Sequence, residues 1–77
     1  MTDEVSDLDQ MQAAYKEAVD RWITAIREEE ALASGIHSEA NIDEWEAAHF
    51  REEAAREKAK SAKKAYEDAL RMKFSNF

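Results

Sequence analysis

The chain has 77 residues, and its 18 acidic and 11 basic side chains give a net charge of −7. A chain this short forms at most one small domain, and its lack of cysteine excludes a disulfide or a thiolate metal site. The acidic balance argues against a general nucleic-acid binder, and one glycine without any proline argues against a turn-rich β fold.

The first predicted helix spans residues 3–34, where apolar residues recur at steps of three and four, the spacing of one helix face. Thr2 or Ser6 can cap its start. Val19 and Ile23 widen the apolar stripe beyond a single helix–helix seam, so part of the stripe needs a second covering element. The stripe consists of Val5, Leu8, Met11, Tyr15, Ala18, Trp22, Ala25 or Ile26, Glu29 and Leu32.

A turn is predicted at residues 35–41, the least periodic stretch of the chain, which contains its only glycine. Because a glycine directly after an apolar run commonly ends a helix in the left-handed conformation, we expect Gly35 to do so. Asn41 and Glu44 have the spacing of a capping box, which predicts the start of the second helix. Ser38 is an alternative cap, three residues earlier.

The second predicted helix spans residues 42–74, and alanine recurs at every seventh position of its apolar stripe. Small side chains at one heptad position let two helix axes approach closely. We therefore expect large residues of the first helix to lie over these alanines, namely Tyr15, Trp22 and Ile26. Alanine is also a good helix former, which is the alternative interpretation. The stripe consists of Trp45, Ala48, Glu52, Ala55, Ala59, Ala62, Tyr66 and Ala69.

These patterns predict an all-α fold, a single helical hairpin over residues 1–77 whose helices run antiparallel. A lone hairpin buries one seam, and the two stripes are wider than that. We therefore expect two copies to form a four-helix bundle, unless the exposed stripe docks on another protein instead. The tail, residues 74–77, either folds onto this dimer or frays. The expected dimer interface consists of Tyr15, Val19, Trp22, Ile23, Ile26, Trp45, Phe50, Tyr66, Leu70 and Phe74.

Acidic side chains concentrate at the turn end of the predicted hairpin. Such a surface attracts a basic patch on a partner protein and makes the association salt-dependent. The basic run at residues 56–64 is expected to be a solvated face balanced by nearby acids rather than a phosphate site. The residues that we expect to bind a partner are Glu28, Glu29, Glu30, Glu39, Asp43, Glu44 and Glu46.

Glu46 and His49 form a Glu-x-x-His pattern, which places both side chains on one helix face. In ferritin-like carboxylate-bridged metal proteins such a pair, with a Glu from a neighbouring helix, supplies half of a two-metal site. Glu29 or Glu30 falls level with Glu46 in the hairpin. With 12 glutamates in the chain the spacing also arises by chance. We therefore expect no metal and no cofactor, and a site of Glu29, Glu46 and His49 is the alternative.

Two carboxylates, Glu29 and Glu52, fall on the apolar stripes. We expect both to lie at the edge of the seam and to keep their water, because acidic residues are seldom fully buried. If they are buried they need partners, since an unpaired buried carboxylate is costly. The possible partners are Arg21, Arg27, Arg51, Arg56 and His49.

No constellation of residues points to catalysis. The chain has no cysteine, no Gly-rich phosphate loop and no serine at a glycine elbow, and a hairpin this small lacks the walls of a substrate pocket. We therefore expect a non-enzymatic interaction protein, one form of which is a phage-type inhibitor of a host protein. A structural subunit of a larger complex is the alternative. No apolar run approaches the ~20 residues of a membrane span, and no signal peptide is recognisable, so we expect a cytoplasmic protein.

Overall fold

The structure is a computed structural model, and its described residues form two α-helices joined by a short turn. The helices are α1 (Glu4–Ala33) and α2 (Glu39–Ser75). The backbone is described for residues 4–35 and 38–75, and the side chains for residues 7–35 and 38–74. The predicted cap at Thr2 or Ser6 lies outside the described side chains.

The two helices pack against each other as an antiparallel hairpin. The direction follows from two cross-helix contacts, because Trp22 meets Glu52 whereas Glu29, later in α1, meets His49, earlier in α2. The molecule is 59 Å long and at most 19 Å wide. The predicted all-α hairpin is therefore confirmed for the described residues. Within them, neither helix has a stretch that is both long and apolar enough to cross a membrane.

Helix α1 ends in a tightened last turn rather than in a left-handed residue. The Ser34 amide donates to the Glu30 carbonyl at 3.2 Å, and the Gly35 amide donates to the Leu32 carbonyl at 3.3 Å. The second bond spans three residues, as in a 3₁₀ turn, and it satisfies a carbonyl that the helix end would otherwise leave open. Gly35 does not have a positive φ, so the prediction of a left-handed stop there is wrong.

Helix α2 begins three residues before the predicted start, because Ser38 caps it. The Asn41 amide donates to Ser38 Oγ at 3.3 Å, and the Ile42 amide donates to the Ser38 carbonyl at 3.2 Å. Ser38 Oγ also donates to Asn41 Oδ1 at 3.2 Å. The alternative cap is thus the one used, and the capping box predicted at Asn41 and Glu44 is corrected.

The contact between the helices is made mainly by alanine. The buried apolar side chains among the described residues are Ala25, Ala48 and Ala59, which are 7%, 1% and 2% exposed. The remaining alanines of the seven-residue repeat are half-buried, at positions 55, 62 and 69. Alanines of α2 that lie off the stripe, such as Ala47, are exposed. This contrast favours close packing over helix propensity as the role of the repeated alanines.

The seam has one edge with small side chains, the small edge, and one edge with large side chains, the large edge. Along both helices its positions alternate between two edges, and alanine predominates at one of them. The other edge carries aromatic rings, from Tyr15 and Trp22 of α1 and from Trp45 and Tyr66 of α2. Because the alanines draw the two axes together, the larger rings on the opposite edge stay only partly covered.

The expectation that Ile26 lies over the alanines of α2 is wrong. It is 40% exposed, whereas Ala25 beside it is buried. Ala25 takes the seam position, and the next residue of a helix points about 100° away from it. Tyr15 and Trp22, which were given the same role, are half-buried on the seam.

Candidate functional site

One face of the hairpin leaves large apolar side chains uncovered, and we call it the apolar face. It starts at the aromatic edge of the seam and extends outward over both helices. A groove in the open half is lined by Tyr15, Val19 and Tyr66 together with Asp9, Gln12, Ala13 and Lys16. A second groove near the turn is lined by Trp45 and Phe50 together with Glu29, Glu46 and His49. The exposed members of the apolar face are Ile23, Ile26, Ile42, Trp45, Phe50 and Phe74, and its half-buried members are Tyr15, Val19, Trp22, Tyr66 and Leu70.

Of the ten residues predicted for a dimer interface, five are exposed and five are half-buried, and the interface stays a prediction. Phe50 and Phe74 are the most exposed of them, at 65% and 66%. Sequence reasoning missed Ile42, because the expected cap placed it at the first turn of α2. The helix in fact starts earlier, so Ile42 lies three residues before Trp45 on the same side. That spacing was the available signal.

The opposite face carries small and charged side chains, and we call it the polar face. A groove on this side is lined by Ala14, Glu17, Ala18, Arg21, Ala55 and Lys58. Arg21 Nη2 donates to Glu17 Oε1 at 2.6 Å on its surface. The hairpin as a whole is therefore amphipathic, with large apolar side chains on one face and small and charged side chains on the other.

The turn end of the hairpin is densely acidic, as the sequence predicts. Of the seven acids expected to bind a partner, six are exposed, and Glu29 is half-buried. Arg51 Nε lies 4.0 Å from Glu28 Oε2 across the seam, a long and solvated ion pair that contributes little to stability. The acidic end is thus available to a partner, and its binding role stays a prediction.

Glu52 is buried in the seam, at 8% exposure. The indole Nε1 of Trp22 donates to Glu52 Oε2 at 2.7 Å, and Arg56 Nε lies 3.6 Å from the same oxygen. The expectation that Glu52 keeps its water is therefore wrong. Its position faces Trp22 in the antiparallel register, and the indole was missed because the sequence pattern counts Trp22 only as an apolar residue.

His49 lies between carboxylates of both helices. Its Nδ1 is 3.3 Å from Glu29 Oε1 of α1, and its Nε2 is 3.0 Å from Glu53 Oε1 of α2. His49 is one of the five possible partners considered from the sequence for Glu29, and this contact is present. Glu53 was not predicted, although its i,i+4 spacing from His49 was the available signal.

Three possible metal ligands converge at this point. Glu29, His49 and Glu52 each offer one donor atom, and these three atoms lie within 4.8 Å of one another. The set shares two members with the alternative site considered from the sequence, but it contains Glu52 where that site had Glu46. Glu46 lines a groove together with Glu29 and His49.

Comparison with known proteins gives no assignment for this arrangement. The sequence matches no protein-family model, and no curated protein and no solved structure matches it either.

Proposed function

We propose that the protein is a non-enzymatic helical interaction module. It pairs with a second copy through the apolar face and binds a partner that has a basic surface through its acidic turn end. The observation that carries the proposal is the row of large apolar side chains that the hairpin leaves uncovered, since an exposed apolar patch of this kind is typical of an interaction site.

The surface area supports a second copy as the cover of the apolar face. The chain exposes 6105 Å², whereas a compact monomer of this mass exposes about 4800 Å². The excess of about 1300 Å² exceeds the ~800 Å² that each partner buries in a standard interface. Pairing would therefore remove the surplus surface and give a bundle of four helices.

Charge supports an antiparallel arrangement of the two copies. The turn half of the hairpin, residues 20–56, holds 10 acidic and 4 basic side chains, a net of −6. The open half has a net charge of only −1. A two-fold axis across the middle of the hairpin sets each acidic turn half beside the nearly neutral open half of the other copy, and so reduces repulsion.

The dimer is tested by comparing two neighbouring substitutions. Ile23→Lys places a charge on the apolar face, whereas Thr24→Lys places the same charge on the polar face. We expect the wild type and Thr24→Lys to sediment as dimers, and Ile23→Lys to dissociate at least about tenfold more readily, which corresponds to about 1.4 kcal/mol. Circular dichroism confirms that the helices remain.

A wild type that stays monomeric at high concentration would refute the dimer, as would equal association of both variants. A defined assembly much larger than a dimer would instead favour the structural-subunit alternative.

The acidic turn end is tested by charge reversal. Glu30→Lys, Asp43→Lys and Glu44→Lys together should abolish capture of a basic partner from a lysate of the source cells, and added salt should weaken capture by the wild type. The matched control reverses three exposed acids of the open half, Asp9, Glu57 and Asp68. Equal loss of captured proteins in both triple variants would mean that net charge alone, and not the turn end, is responsible.

A further inference from the structure

The geometry points to a metal site on this hairpin: Glu29, His49 and Glu52 bind one divalent first-row transition-metal ion. The three side chains come from both helices of a single chain. The site goes beyond the proposed function, because no residue of a second copy or of a partner protein contributes to it. Glu29 and His49 also line the groove that contains Trp45 and Phe50 of the apolar face.

The spacing of the donor atoms fits a metal ion after a small adjustment. Oxygen and imidazole nitrogen ligands lie about 2.0–2.2 Å from such an ion, so two ligands at the tetrahedral angle are about 3.3–3.6 Å apart. The three donor atoms here lie within 4.8 Å of one another. His49 is about half exposed and Glu29 about one quarter exposed along their side chains, so both can rotate inward towards the buried Glu52.

The orientation of the His49 ring gives independent support. A histidine that binds a metal through one ring nitrogen almost always donates its other N–H to a carboxylate or carbonyl, which fixes the ring. His49 Nε2 has such a carboxylate, Glu53 Oε1, at 3.0 Å. Its Nδ1 then faces Glu29 Oε1 at 3.3 Å.

A neutral His49 can donate a hydrogen bond to only one of the two carboxylates that it contacts. A neutral imidazole carries one N–H, so when Nε2 donates to Glu53, the Nδ1 lone pair points at the carboxylate of Glu29. Two like lone-pair groups at 3.3 Å repel each other, and a cation between them turns this repulsion into two ligand bonds. An imidazolium that donates to both carboxylates is the competing arrangement, and the experiment below separates the two.

The charge and type of the donors select the class of ion. Two carboxylates and a neutral imidazole carry the charge that balances a divalent cation, and the ion would compete for Glu52 with the Arg56 guanidinium, whose Nε lies 3.6 Å from Glu52 Oε2. Imidazole suits zinc, iron, copper and nickel, whereas magnesium and calcium prefer sites made of oxygen alone. Three protein ligands leave at least one position for water, which is the open arrangement of many zinc sites.

Calorimetric titration of Zn²⁺ into metal-free protein tests the site. We expect saturable binding of one ion per chain, and no comparable binding of Mg²⁺. His49→Ala should abolish the binding, and Glu29→Gln should weaken it at least about tenfold, because even the outer partners of metal ligands contribute 10–100-fold to affinity. The controls His37→Ala, which removes the only other histidine, and Glu57→Gln, which removes an exposed acid of α2, should bind as the wild type does.

Glu52→Gln is a further variant, because a glutamine oxygen can still accept the Trp22 hydrogen bond while the charge is lost. If that variant fails to fold, the test rests on His49 and Glu29, which are not buried. ¹⁵N NMR of the imidazoles supplies a second readout, in which Zn²⁺ should shift Nδ1 of His49 and leave His37 unchanged. Absence of saturable Zn²⁺ binding, or undiminished binding by His49→Ala, overturns the inference. A His49 ring whose nitrogens respond to pH but not to Zn²⁺ also overturns it, in favour of the imidazolium.

Discussion

The buried carboxylate of Glu52 makes a closer contact with the indole of Trp22 than with the guanidinium of Arg56. Trp22 Nε1 donates to Oε2 at 2.7 Å, a short bond of the charge-assisted kind. Arg56 Nε stays at 3.6 Å from that oxygen, and this buried nitrogen has no hydrogen-bond partner among the described residues. A buried carboxylate needs a hydrogen-bond donor, and for Glu52 the neutral indole N–H of Trp22 is the donor at hydrogen-bonding distance.

Trp22→Phe is predicted to destabilise the protein by about 1–3 kcal/mol, the cost of leaving a buried acceptor without its donor. The free energy of unfolding is measured by urea titration at a fixed protein concentration. The control Trp45→Phe changes the more exposed indole and should have a clearly smaller effect. In the background Glu52→Gln the Trp22→Phe change should cost less, because no charge is stranded. Equal costs in both backgrounds would contradict this role of Trp22.

At the scale of the helices, the repeated alanines set how closely α1 and α2 approach. Ala48 is 1% exposed at the centre of this contact, whereas its neighbour Ala47 lies off the seam and is exposed. The two residues are matched in size and in helix propensity, so they separate packing from helix formation.

Ala48→Leu should destabilise the hairpin by about 1–3 kcal/mol, because the added side chain forces the helix axes apart. Ala47→Leu should change the free energy of unfolding by no more than about 0.5 kcal/mol. Both are measured by chemical denaturation followed at the helical circular dichroism band. Similar values for the two leucine variants would show that the alanines serve helix formation only.

A substitution at Gly35 in the turn is expected to stabilise the protein. Gly35 has no positive φ, and a Cβ added there would meet no atom within 4 Å. Gly35→Ala should therefore raise the free energy of unfolding by about 0.4–1 kcal/mol, through a smaller conformational entropy of the unfolded chain. Thermal denaturation compared with the wild type measures the change. A lower melting temperature would mean that residue 35 needs the left-handed conformation after all.

The helices and their seam could be predicted from the sequence, because both depend on the spacing of apolar residues along the chain. The details at Ser38 and Gly35 could not, since several residues near a helix end can serve as cap and the choice depends on competing hydrogen bonds. The contacts of Glu52 and His49 depend on the register between the helices. A shift by one turn would have separated His49 from Glu29. Glu52 and Glu53 lie on the same helix as His49, so their spacing from it was available in the sequence and was not used.

At the scale of the whole molecule, amphipathicity is a property of the hairpin rather than of each helix alone. The large edge of the seam and the outer positions beside it form one apolar face, which includes Ile23 and Phe50. The polar face opposite carries salt bridges such as Arg21 with Glu17. On α2 the large apolar side chains of this face lie towards the two ends of the helix, since none occurs between Phe50 and Tyr66. A second copy of the same 59 Å rod is long enough to cover both ends at once.

The direction of the second copy is predicted from the uneven charge, and it can be measured because the chain has no cysteine of its own. A spin label at Ala31→Cys lies near the turn on the polar face. In an antiparallel dimer two such labels should be about 45 Å apart, since residue 31 lies some 20 Å from the middle of the hairpin along the helix axis. In a parallel dimer the separation should be about 25 Å, roughly the thickness of two packed layers of helices.

Ser61→Cys, near the middle of the rod, is the control, because its separation is similar in both arrangements. A short distance at residue 31 together with an unchanged distance at residue 61 would exclude the antiparallel dimer. It would also require a cation or a basic partner between the two acidic turn ends, because residues 20–56 of both copies, each with a net charge of −6, would then lie side by side and repel.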